Sequence, residues 1–177
     1  MKINPVKKTV QDLVLWDAAS QKCTGFADNG DLGAYACGGT LNIRPPYQRE
    51  YVYKDKQRNA VIESIQKGFP LNTMYWVKDS SGDYELLDGQ QRTMAICMYV
   101  NGDFSIGKPA QYFHNLPANK QQEILDYELM VYECVGHGQD KLDWFKTINM
   151  GSEPLTDQEV RNAVYSGPWT ADAKKYF

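Results

Sequence analysis

Cysteine, histidine and arginine are scarce in this 177-residue chain, and the familiar catalytic signatures are missing. No two of the four cysteines, Cys23, Cys37, Cys97 and Cys134, form a C-x-x-C pair, so a zinc site is not expected. Cys97 and Cys134 fall inside apolar patterns and read as buried small residues. Cys23 and Cys37 flank a glycine-rich stretch where they could meet; in the cytosol they are expected to stay reduced. The two histidines, His114 and His137, lie far apart and read as surface or loop residues. No H-E-x-x-H, G-x-S-x-G or G-x-x-x-x-G-K-[ST] is present, which removes the common hydrolase signatures and the usual phosphate loop. The longest apolar run, Met94 to Val100, is too short to span a membrane, and "MKINPVKKTVQD" has no apolar signal-peptide core. A soluble cytoplasmic protein with no membrane partner is the expectation. A net charge of −3 and a pI of about 5.4 argue against a broadly basic surface that grips DNA by its backbone. A local basic pocket stays open.

What is present is a foldable chain: 42% hydrophobic and 12% aromatic residues, enough for one domain with a real core. Thr9 to Gln21 reads as a helix, with Val10, Leu13, Val14 and Ala18 at helical spacing. "CTGFADNGDLGAYACGG" (Cys23 to Gly39) holds five glycines and reads as a long loop or loose hairpin. Thr40 to Ile43 is a short strand, and two prolines force "RPPYQREYVY" into an extended path. Asp55 reads as the cap of a helix to Lys67 that buries Val61, Ile62, Ile65 and then Phe69. "LNTMYWVKDSSGDYELLD" is a hairpin around Ser80 to Asp83. A helix to about Tyr99 follows, ended by "NGD". Another spans about Ala118 to Asp126. "YELMVYECV" is a strand with Leu129, Val131, Cys134 and Val135 at apolar positions. "GQDKLDWFKTINM" is helical and buries Leu142, Phe145 and Ile148. The last helix starts at a capping box, Thr156 with Glu159, and a staple, Leu155 with Val160. This order predicts an α+β fold with a small mixed sheet.

One seam stands out in "YELLDGQQRTMAICMYV" (Tyr84 to Val100). A strand runs through Asp88-Gly89-Gln90-Gln91-Arg92 into a helix that is apolar on every face. Asp88 with Gln91 is by itself a capping pattern, and an acid suits a helix start. Capping leaves Gly89 unexplained, since glycine in a first helical turn costs up to about 1 kcal/mol against alanine. It also leaves Arg92 unexplained, because a cation there opposes the helix dipole. An anionic ligand, a phosphate, would take the free first-turn N–H groups and pair with the guanidinium. Arginine usage agrees: against fourteen lysines there are five arginines, Arg44, Arg49, Arg58, Arg92 and Arg161. Arg44 and Arg49 bracket "PPYQ" and Arg92 closes the seam, placements that suit bidentate phosphate contacts. Arg58 and Arg161, on helices, read better as partners of nearby carboxylates.

"IRPPYQREYVY", "DGQQRT" and "WFKTINMGSEPLTDQEVRNAVY", in this order, resemble the N-terminal domain of GmrSD-type restriction endonucleases, over about Leu41 to Tyr165. The resemblance implies a ParB/sulfiredoxin-like fold, in which a motif at a helix N-terminus holds a nucleotide phosphate. It implies a sensor or regulatory domain of a restriction or anti-phage defence endonuclease that binds, and with Mg2+ slowly hydrolyses, a nucleoside triphosphate. The motif residues carried over are Asp88, Gly89, Gln90, Gln91, Arg92 and Thr93, with Tyr47, Gln48 and Arg49 in the "P-x-Q-R" element and Asn149 in the "F-x-x-I-N" element. In this reading Asp88, Gln91 and Arg92 are catalytic, Asp88 also holding a divalent ion. Tyr47, Gln48, Arg49, Gly89, Gln90, Thr93 and Asn149 bind the nucleotide. Residues 1–39 form an N-terminal helix and glycine-rich loop, a lid or subfamily insertion packed on a domain of residues 40–166. Residues 167–177, with Trp169, Tyr176 and Phe177, begin a following helical segment. The implied partners are the nucleotide, a C-terminal nuclease domain in a longer chain, and DNA through that longer protein. Weak NTPase activity without DNA cleavage is the expectation. A ParB-like DNA-binding module that hydrolyses nothing is the competing reading.

Overall fold

The computed structural model describes residues 2–44, 53–136 and 139–148, with all side chains except those of Asp31, Lys141, Leu142, Phe145 and Ile148. Tyr47, Gln48, Arg49, His137, Asn149, the capped helix around Thr156 and Glu159 with Arg161, and residues 167–177 therefore lie outside the described residues. So do the side chains proposed for burial at Leu142, Phe145 and Ile148.

The hairpin anchors the sheet. Strands Met74–Lys78 and Tyr84–Asp88 pair antiparallel. Asp79 ties their turn by accepting the Ser81 amide at 2.8 Å. In chain order the strands are β1 (Lys2–Thr9), β2 (Trp16–Asp17), β3 (Lys22–Cys23), β4 (Ala27–Asp28), β5 (Ala34–Ala36), β6 (Leu41–Asn42), β7 (Met74–Lys78), β8 (Tyr84–Asp88) and β9 (Glu128–Val135). Seven of them form one mixed sheet, ordered β1-β9-β7-β8-β6-β5-β4, while β2 and β3 pair separately. β9 runs parallel to β7 and β6 parallel to β8. The helices are α1 (Val10–Val14), α2 (Asp55–Gln66), α3 (Gln90–Asn101), α4 (Ala118–Leu125) and α5 (Gln139–Ile148). The architecture is the expected α+β fold with a mixed sheet.

The main core lies on one sheet face, where Trp76, Leu86 and Val131 meet Ile62 and Ile65 of α2 and the buried shaft of α3. Met94, Ala95, Ile96, Cys97, Tyr99 and Val100 are each at most 2% exposed, so α3 is enclosed as its sequence required. On the opposite face Val77, Leu87 and Cys134 form a smaller cluster with Tyr75, Tyr132 and Trp144 of α5.

Several expectations are corrected. The helix proposed for Thr9 to Gln21 stops at Val14. Leu15 turns left-handed (φ 45°), and the Gln11 side-chain amide both donates to the Trp16 carbonyl and accepts its N–H, at 3.1 and 3.2 Å. Trp16 is thereby held for its edge-on contact with Phe113, centroids 4.9 Å apart, instead of continuing the helix. Residues 2–9 are a sheet strand, paired along their whole length with β9. Of the two readings of the glycine-rich stretch, the hairpin is the one found: β4 and β5 pair antiparallel and extend the sheet through β6. Asp55 is the first helical residue of α2, after Lys54 as cap, and it pairs with Arg58 at 3.5 Å. Phe69 is 56% exposed and Val135 is 41% exposed, so neither joins the core. Two expectations agree with the structure: Cys23 and Cys37 are free thiols, their pKa pushed up by burial to about 12 and about 11, and His114 is exposed, stacked on Tyr112.

Candidate phosphate site at the start of helix α3

Asp88 is the last residue of β8 and Gln90 the first of α3, so one residue must turn the chain. Gly89 does this at φ 102°, ψ 17°, as the N-cap of α3. A side chain there would be strained by the left-handed backbone. It would also collide, since an added Cβ would lie 2.8 Å from Met74 Cγ and 3.1 Å from an Arg92 guanidinium nitrogen. The close neighbour that demands glycine is thus the protein's own Met74, which corrects the expectation that a ligand's approach explains it.

The N-cap of α3 is Gly89, which has no side chain to offer, and among the described residues no side-chain cap bond is made there. Asp88, expected on the bland reading to cap it, instead accepts the Gly89 N–H and faces Arg92. An uncapped helix leaves first-turn N–H groups without intrahelical partners, and these concentrate positive potential. Arg92 donates to an Asp88 carboxylate oxygen at 3.4 Å and to the Thr73 carbonyl at 3.3 Å. The cation that opposes the dipole is therefore held by an acid one turn back, so an anion is not needed to explain its presence. Both contacts are long, and the geometry leaves the guanidinium loosely held. Burial raises the Asp88 carboxyl pKa, opposed by the Arg92 charge and then the Gly89 N–H.

Helical phase divides the rest of the motif. Gln90 and Thr93, three apart, share the inward side of α3. Thr93 is fully buried, and its hydroxyl points at the Met74 sulfur, 3.4 Å away in the core. This placement does not suit the ligand contact expected of it. Gln90 is 5% exposed, and its Nε2 is buried without an acceptor among the described residues. Gln91 lies nearer the rim and accepts the Tyr53 amide at 3.2 Å, tying the start of α3 to the segment before α2.

The remaining arginines separate as follows. Arg44 donates to the Asp28 carboxylate and the Gly30 carbonyl, so it fastens the glycine-rich segment and is not set toward the seam. Arg58 pairs with Asp55 and lies over the Phe104 ring, 3.8 Å from its centroid, as a structural cation. A shallow cavity of about 280 Å³ opens between Phe26, Asn29, Tyr35 and Gly39, and among the described residues no acidic or basic side chain lines it. Sequence reasoning missed Thr73, Met74 and Tyr75, which surround the seam from β7 and its approach. Tyr75 is the register partner of Asp88, displaced by a bulge between Tyr75 and Trp76. The hairpin pattern marked the pairing, but a bulge is not visible in an alternation that short.

The family model for the GmrSD restriction endonuclease N-terminal domain matches residues 32–166, a span that contains the whole seam. The chain belongs to this family. The GmrSD N-terminal domain is ParB-like, an α+β fold. The match begins inside the glycine-rich stretch, so β5 and β6 fall within the family's span. No curated protein and no solved structure matches the chain. Among the described residues no helix is long and apolar enough to cross a membrane.

Proposed function

We propose that this GmrSD N-terminal domain binds a nucleoside triphosphate at the start of α3 and turns it over slowly, as the regulatory part of an intracellular restriction endonuclease. The observation that supports the reading is the start of α3, where the N-cap Gly89 offers no side-chain cap, Gln90 Nε2 is buried without an acceptor among the described residues, and Arg92 is held by two long hydrogen bonds. A buried donor without an acceptor costs about 1–3 kcal/mol, which a phosphate oxygen would relieve. The same oxygen would meet first-turn amides and the guanidinium, the combination that makes helix starts anion sites. Family membership supplies a DNA context, reached through the longer enzyme rather than through a chain of net charge −3.

The residues divide the work as follows. Arg92 moves from Asp88 to the phosphates and neutralises charge there. Asp88, already raised by burial, then loses its cation and becomes a better proton acceptor. Gln91, at the rim, orients water. The described residues contain no cluster of three or more His, Cys, Asp or Glu side chains that would hold a metal. Asp88 fits the mode in which one carboxylate and the nucleotide's own phosphates share Mg2+, which would supply further charge neutralisation.

Calorimetric titration of the chain with nucleoside triphosphate and Mg2+ tests this. Arg92→Ala should weaken binding about ten-fold or more, the scale of a charge-assisted contact. Arg58→Ala should leave it unchanged. Equal affinities for wild type and Arg92→Ala would remove the site from α3.

A further inference from the structure

Beside the seam stands a group of aromatic rings for which a role in phosphate binding gives no account. Tyr75, opposite Asp88 in the hairpin, stacks on Tyr132 with centroids 5.5 Å apart and planes inclined by 29°. Trp144 of α5 meets Tyr75 edge-on at 6.0 Å and 70°. All three rings are half-buried, so each keeps part of its surface in solvent. They lie on the sheet face opposite α3, over Val77, Leu87 and Cys134. The Trp144 indole N–H is buried and has no acceptor among the described residues.

A small apolar cluster under a helix needs no aromatic triad, and aliphatic side chains would close it as well. What distinguishes this one is its address. Directly opposed residues of paired strands are about 5 Å apart. Tyr75 is therefore one residue's breadth from the carboxylate that ends β8. Asp88 directly precedes the turn into α3, so the Tyr75 ring stands at the same end of the β7–β8 pair as the first turn of α3. Base–aromatic stacking is tolerant of sequence because every base has a π-face.

We infer that Tyr75, Tyr132 and Trp144 form the nucleobase platform of the nucleotide whose phosphates lie at α3, with purines held more tightly than pyrimidines. This rests on the phosphate site proposed above. The platform reads ring area and not base edges, so adenine and guanine bind alike and cytosine and uracil more weakly.

The test compares two probes, ATP and inorganic tripolyphosphate, each with Mg2+, on the full chain by calorimetry. Tyr75→Leu keeps an apolar side chain at the sheet and removes the ring. It should weaken ATP binding about ten-fold or more while leaving tripolyphosphate unchanged, as loss of one stacked base predicts. ATP binding to Tyr75→Leu at wild-type affinity would overturn the platform and leave the phosphate site standing. Failure of both probes to bind wild type would overturn the phosphate site, and the platform with it. Should Tyr75→Leu unfold, fluorescence decides. ATP should quench a tryptophan signal that Trp144→Phe abolishes, and tripolyphosphate should not. Identical quenching by both probes, or quenching that survives Trp144→Phe, would also overturn the platform.

Discussion

Replacing Gly89 by alanine should destabilise this domain by about 2–5 kcal/mol. At φ 102° an L-residue is in the left-handed half of the map. The strain there is about 1–2 kcal/mol. The new methyl group would lie 2.8 Å from Cγ and 3.3 Å from Cβ of Met74, a residue only 1% exposed and unable to move aside freely. Overpacking of that kind adds about 1–3 kcal/mol. The usual effect of glycine to alanine at a helix has the opposite sign, a gain of up to about 1 kcal/mol. Urea denaturation of the chain followed by far-ultraviolet circular dichroism measures the difference. The Met74→Ala background separates the two causes, because shortening Met74 removes the closest contact, that with Cγ, and leaves the strain. Gly89→Ala should therefore cost less there, about 1–2 kcal/mol. A Gly89→Ala protein as stable as wild type would refute the left-handed turn, and an identical cost in both backgrounds would refute the contact with Met74.

Asp88→Asn should gain on wild type as pH rises. Its carboxyl pKa is raised above 3.8 by burial, so the folded state binds that proton more tightly than the unfolded chain. The cost of ionising it is absent at pH below the ordinary value and grows as pH climbs through the raised one. Asparagine never ionises, so the stability difference should move in its favour toward neutral pH. A difference that is flat, or that moves toward wild type, in thermal melts across this range would refute the burial argument. If the nuclease chemistry lies in another part of the enzyme, as the proposed regulatory role requires, the chain alone should not cut DNA. Incubation with modified and unmodified plasmid, Mg2+ and nucleotide checks this, and specific cleavage abolished by Arg92→Ala would refute it.

The hairpin, α3 and α4 were legible because their signals are local. Asp79 to Asp83 is a turn by composition, and an unbroken apolar run has only one way to be soluble. β1 was not legible. "KINPVKKT" carries a proline and three lysines, and its strand character comes from β9, which offers it a ladder from 119 residues or more away in register pairs such as Thr9 with Glu128. Edge strands wear charges to discourage other partners, so their pattern hides them. The end of α1 was hidden for a related reason. Val10, Leu13 and Val14 do repeat at helical spacing, but Leu15 and Trp16 are governed by Gln11 and Phe113, the latter a contact made 97 residues away. At the site, the motif's place between strand and helix could be read directly. The inward aim of Thr93 followed from helical phase, had the phase been set from Met94 and Cys97 backward.

A motif does not show by its presence which of its members touch a ligand. In Asp-Gly-Gln-Gln-Arg-Thr the fold itself accounts for most of the residues. Gly89 is required by φ and by Met74, Thr93 by the core, and Gln91 accepts the Tyr53 amide. Asp88 and Arg92 hold each other, which a purely structural pair would also do. Loss of binding in Gly89 or Thr93 variants would therefore report folding as much as contact. The informative positions are those where the fold leaves something over: the uncapped amides of α3, Gln90 Nε2, and a guanidinium 13% exposed with two long hydrogen bonds. A structural Arg92 would be missed by Asp88, whose half-buried carboxylate would lose its cation and destabilise the domain. A ligand-binding Arg92 would be missed by phosphate. Stability and affinity measured on the same Arg92→Ala protein thus separate the two roles, and Arg92→Lys sharpens the separation. Lysine preserves the charge beside Asp88 but not the planar fork that grips phosphate by two bonds.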